Sequence, residues 1–79
     1  MLAVLLLLVY FPFAHAQDYD LQRAEELYLN GELLFKEQEY RAAITAWEEG
    51  YALSNLPDFL KNIALAYEAL EESTRRLKP

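Results

Sequence analysis

Leu27, Gly31 and Leu34 recur as Leu60, Ala64 and Tyr67, each at an offset of 33 residues. A large–small–large apolar triplet repeated in this way marks one supersecondary unit and the start of its successor. Within each copy the apolar residues fall three or four positions apart, which is helical spacing; strands would alternate at every second residue. The first helix is expected over 21–37, with Ala24, Leu27, Tyr28, Gly31, Leu34 and Phe35 on one stripe. Asp18 or Asp20 is placed to cap it, and Glu25 and Glu26 suit the positive end of its dipole. The polar "KEQE" that follows reads as a tight turn. A second helix over 40–53 carries Tyr40, Ala43, Ile44, Trp47 and Tyr51, with Glu48 and Glu49 off the stripe. "SNLPD" ends it, because Ser and Asn favour caps and turns and Pro57 suits the first turn of a new helix. The third helix, over 57–76, sets Leu60, Ile63, Ala64, Tyr67 and Leu70 on one face, with Asp58 near its start and Arg75 and Arg76 near its end. Short loops make neighbouring helices antiparallel. The fold class is all-α: an antiparallel helical hairpin plus one helix.

The opening "MLAVLLLLVYFPFAHA" has another composition. It is apolar and free of charged side chains to Ala14, and small residues at Ala14 and Ala16 precede the polar "QDYD". This is the pattern of a secretory signal peptide over 1–16, with cleavage after Ala16 leaving Gln17 at the new N-terminus. It departs from the pattern in having no Lys or Arg ahead of Leu2. A retained membrane anchor is the alternative, although a helix of roughly 20 Å is shorter than the hydrocarbon core of about 30 Å, and Pro12 interrupts it. A buried core helix is the third reading. The expected localisation is exported, periplasmic or secreted, or membrane-anchored if the segment is retained. The only histidine, His15, lies in the removable part.

Composition narrows the chemistry. There is no cysteine, so disulfides, thiolate zinc sites and thiol catalysis are excluded. A net charge of −6 argues against a nucleic-acid partner, whose phosphates need clustered Lys and Arg. The glutamate pairs Glu25/Glu26, Glu37/Glu39, Glu48/Glu49 and Glu71/Glu72 read as solvated faces, since adjacent helical side chains diverge by about 100° and do not converge on one substrate. A carboxylate metal site would want a Glu-x-x-His pair, and Ser54 and Ser73 have no histidine to activate them. The expectation is no catalysis, no cofactor and no metal.

"ELYLNGELLFKEQEYRAAITAWEEGYALSN" resembles a tetratricopeptide repeat, through Leu27, Gly31, the polar turn, Tyr40, Ala43, Trp47 and Gly50. "FLKNIALAYEALEE" is similar to the first helix of a following repeat, with Asn62-Ile63-Ala64 where the family often has Asn-Leu-Gly. The resemblance covers roughly 21–72. It departs from the family at Leu34, where an aromatic is common, at Gly50, where Ala is usual, and at Pro57, which is displaced toward the next helix. The offset is one short of the family period of about 34 residues. The chain thus holds about one and a half repeats. The resemblance implies a stretch of right-handed superhelix and packing roles for Leu27, Gly31, Leu34, Tyr40, Ala43, Trp47, Tyr51, Leu60, Ala64 and Tyr67.

By the same resemblance the first helices line a groove that holds a peptide or partner helix, and Tyr28, Glu32, Phe35, Lys36, Leu65 and Glu68 are its candidates. Glu32 does not suit a terminal carboxylate, so the Lys/Asn-type clamp of some family members is not expected. Arrays of this kind generally need three or more repeats. The domain is therefore expected to be marginal alone: part of a longer repeat protein, a homo-oligomer, or a piece that stacks on a partner. The expected function is an exported protein–protein interaction module, with a membrane-anchored assembly or scaffold subunit as the alternative.

Overall fold

A computed structural model describes the backbone of 2–77 and the side chains of 18–77. Three α-helices follow one another: α1 (Leu2–Lys36), α2 (Tyr40–Ser54) and α3 (Pro57–Arg76). α2 is the middle element and packs against both others. Phe35 meets Tyr40 at one end of the α1–α2 pair and Arg23 approaches Glu49 at the other, so the two helices are antiparallel.

The first helix is longer than the expected 21–37. Nothing between Ala14 and Leu21 interrupts it, because the stretch has neither Pro nor Gly and Ala, Gln and Leu there are good helix formers. Asp18 and Asp20 consequently lie inside α1 and do not cap it. The proposed signal sequence or anchor falls on residues whose side chains lie outside the described ones. Among the described residues no helix is long and apolar enough to cross a membrane.

α1 ends by backbone geometry. Gln38 adopts φ 66°, and the Glu39 and Gln38 amides donate to the Leu34 and Phe35 carbonyls at 2.8 and 3.0 Å. This double bond pattern around a left-handed residue is the Schellman stop. Glutamine pays a steric penalty there that glycine does not. Gln38→Gly should therefore raise stability by about 1 kcal/mol, read from the midpoint of urea unfolding; an unchanged or lower midpoint would contradict this geometry.

α2 stops at Asn55, also left-handed at φ 57°, whose amide donates to the Tyr51 carbonyl at 2.7 Å. The expected roles of Ser54 and Asn55 differ in kind. Asn55 supplies the turn conformation, whereas Ser54 donates from its hydroxyl to the Gly50 carbonyl and accepts from the Leu56 amide. α3 then starts without a side-chain cap, on extended Leu56 with Pro57 in its first turn.

The core is small and built from size contrasts. Ala24, Leu27, Ala43, Ile44, Ala46, Trp47, Phe59 and Ala66 are buried, with Tyr28, Leu34, Phe35, Tyr51, Leu53 and Ile63 packed around them. Trp47 packs directly on Gly31: a Cβ built on that glycine would sit 2.2 Å from the indole Nε1. Phe59 does the same on Gly50, with 2.4 Å to its Cε1. Each glycine thus lets one large ring close one helix–helix contact, Trp47 for α1–α2 and Phe59 for α2–α3.

The Trp47 indole N–H donates to the Tyr28 carbonyl at 3.1 Å. Phe59 meets Tyr28 edge-on at 5.5 Å between ring centres, so α3 also touches α1. Among the described residues no buried side-chain nitrogen or oxygen lacks a partner.

The face of α3 that packs inward is not the one the repeat offset selects. Leu60 (48% exposed), Ala64 and Tyr67 (53% exposed) point outward, while Phe59 and Ala66 are buried and Ile63 and Leu70 half-buried. The packing roles assigned to Leu60, Ala64 and Tyr67 are therefore corrected. In α1 the equivalent triplet is covered by α2: Leu27 and Gly31 are buried and Leu34 is half-buried. In α3 no helix stands in the corresponding place among the described residues, and the helix instead turns its Phe59–Ala66 side to α2.

Ion pairs add little. Arg75–Glu71 at 2.9 Å and Arg76–Glu72 at 3.0 Å join successive turns of α3 with the glutamate on the N-terminal side, the better orientation, but all four side chains are well exposed.

Candidate partner-binding cleft

Beside the Tyr28–Phe59 contact, α1 and α3 flank a cleft with Trp47 of α2 in its lining. Its lining is Tyr28, Glu32, Phe35 and Lys36 from α1, Trp47 from α2, and Asn62 and Leu65 from α3. On α1 these positions follow helical spacing: Tyr28, Glu32 and Phe35 lie three or four residues apart, and Lys36 is one turn beyond Glu32.

Five of the six groove candidates named from the sequence share this cleft. Glu68 does not join them; it is exposed one turn beyond Leu65, outside the lining. Trp47 and Asn62 were not among the candidates. Trp47 reads from sequence as a core residue, and it is buried; one edge of its ring still reaches the cleft floor. Asn62 could have been found from its place three residues ahead of Leu65 on the same side of α3.

The cleft has an aromatic floor and a charged rim. Phe35 lies 6.0 Å from Trp47 and 5.2 Å from Tyr40, ring centre to ring centre, which fixes its orientation. Leu65, 47% exposed, forms the apolar wall on the α3 side. Glu32 and Lys36 stand at the α1 rim, and among the described residues neither is held in an ion pair.

The volume, about 190 Å³, is below the roughly 300–1,000 Å³ of small-molecule pockets. It has room for one or two side chains. Both a carboxylate and an ammonium stand at the rim. Among the described residues no three His, Cys, Asp or Glu side chains gather in a way that could hold a metal ion. Compared with protein-family models, curated proteins and solved structures, the chain finds no significant match to any of them.

Proposed function

We propose that this chain is a protein–protein interaction module of tetratricopeptide type, taking a partner segment in the cleft between α1 and α3 and carrying out no catalysis. The observation that carries the reading is the convergence of Tyr28, Phe35, Trp47 and Leu65 on one open cleft between α1 and α3. The small cleft volume and its apolar floor favour an apolar anchor side chain, Leu or Phe, presented on a short helix or extended peptide. Glu32 and Lys36, on one rim, favour a partner that carries charges of both signs beside that anchor. Export, or retention at a membrane through the N-terminal segment, belongs to the same proposal and rests on the sequence of 1–16.

The test is selection of a random peptide library displayed on phage against the full chain, with Leu65→Glu as the counter-target. Leu65 is exposed on α3, so the charge is tolerated by the fold while the apolar wall is lost. The expected outcome is a set of peptides sharing an apolar anchor, bound at least about tenfold more weakly by Leu65→Glu, in keeping with the loss of a central apolar contact at an interface. Peptides that bind both proteins equally would place recognition elsewhere and end the cleft reading.

A further inference from the structure

Among the described residues nothing packs on the outer face of α3. Leu60, Ala64 and Tyr67 form one stripe along it, all three exposed, and Tyr67 borders a shallow depression with Arg41 of α2 and with Leu70, Thr74 and the paired Glu71 and Arg75 of α3. Beside the stripe, on the flank turned away from Ile63 and Leu70, stand Lys61 and Glu68, seven residues apart and so nearly aligned along the helix. Both are exposed, and among the described residues neither takes part in an ion pair.

We infer that a second copy of this chain covers the stripe, the two α3 helices packing antiparallel about a two-fold axis near Ala64. The stripe is self-complementary in both shape and charge. Ala64, small and central, lets the helices approach, and Leu60 and Tyr67 lie at nearly equal distances on either side, so Leu60 of each copy meets Tyr67 of the partner subunit. In an antiparallel two-fold pair, like flanks face each other. Lys61 therefore meets Glu68 of the partner subunit, and the contact is made twice. A parallel pair would instead set Lys61 against the apolar Ile63–Leu70 flank. This self-matching favours a second copy over an unrelated helix, which would need its own complementary charges.

One helix from each copy buries less than the roughly 1,600 Å² of a standard interface, so the association is weak and concentration-dependent. It uses the face of α3 away from the cleft and stands or falls independently of peptide binding.

The absence of cysteine allows a direct test on the full chain by single introduced thiols. A disulfide requires Cα atoms about 4.4–6.8 Å apart, which a pair of helices crossing at position 64 provides. Ala64→Cys should form disulfide-linked dimers under mild oxidation at least about tenfold faster than Glu48→Cys on α2, because held proximity replaces collision. Leu60→Cys alone should cross-link slowly, whereas Leu60→Cys mixed with Tyr67→Cys should give chiefly the mixed dimer. Adding Lys61→Glu to Ala64→Cys should slow the reaction, and adding Glu68→Lys to that variant should restore it.

Equal rates at positions 48, 60 and 64 would show association through some other part of the chain and overturn the inference. So would an inert Ala64→Cys, the result expected if a different protein's helix occupies the stripe. Failure of Glu68→Lys to rescue Lys61→Glu would overturn the antiparallel register.

Discussion

Gly31→Ala is expected to destabilise the protein by about 2–4 kcal/mol, although alanine in an exposed helix would stabilise by about 1 kcal/mol relative to glycine. The new methyl would lie 2.2 Å from Nε1 and 2.5 Å from Cε2 of Trp47, distances no real contact sustains. The indole is not a flexible end that can swing aside. It is buried, packed near Phe35, and its N–H is committed to the Tyr28 carbonyl. Displacing it opens α1 from α2 and leaves a buried donor unpaired, which by itself costs about 1–3 kcal/mol. At about 4–8 °C per kcal/mol for a domain of this size, the melting temperature followed by far-UV circular dichroism should fall by roughly 10–25 °C. A variant that melts at or above the parent would show that Trp47 does not lie on Gly31.

Phe59→Ala should cost about 3–5 kcal/mol, the range for removing a fully buried aromatic. Phe59 is the largest side chain the core encloses completely, and it is in contact with all three helices: its own α3, Gly50 of α2 and Tyr28 of α1. Its loss removes the main lock on α3 while the Trp47–Gly31 contact between α1 and α2 remains. Hydrogen exchange should therefore accelerate across α3 before α1 and α2 respond, and Trp47 emission should stay near that of the parent until the hairpin itself melts. Uniform acceleration across all three helices would instead mean that α3 and the hairpin unfold as one unit.

These two sites show how far the sequence could be read. The all-α class and the α1–α2 packing followed from spacing, because Tyr40, Ala43, Ile44, Trp47 and Tyr51 lie on one stripe of α2. α3 was ambiguous in a way spacing could not resolve. It carries two apolar stripes, Leu60–Ala64–Tyr67 and Phe59–Ile63–Ala66–Leu70, each at steps of three or four. The repeat offset chose the first. Packing chose the second, because it holds the ring that fits over Gly50 and because, among the described residues, nothing covers the first.

The Schellman stop at Gln38 was invisible for a different reason: the left-handed position holds neither Gly nor Asn, the residues that advertise it. The cleft was more legible, since the resemblance to a repeat whose first helices line a groove named Tyr28, Glu32, Phe35 and Lys36, and all four line the cleft. Glu68 fell outside it because the assignment followed the repeat pattern around α3, whereas α3 presents Asn62 and Leu65 to the cleft.

Two open faces with different character follow from this arrangement. The cleft is aromatic and floored by the core, so occupancy there is sensed by Trp47. The α3 stripe is shallower and self-complementary. The reading of the chain as an interaction module rests on the cleft. Its most direct measurement is a titration of the full chain, labelled for NMR, with a peptide from the library selection. The account predicts that the largest shifts fall on Tyr28, Glu32, Phe35, Lys36, Asn62 and Leu65 and on the Trp47 indole N–H, with Leu60, Ala64 and Tyr67 little moved. Shifts concentrated on the outer face of α3, with the Trp47 indole unmoved, would contradict it.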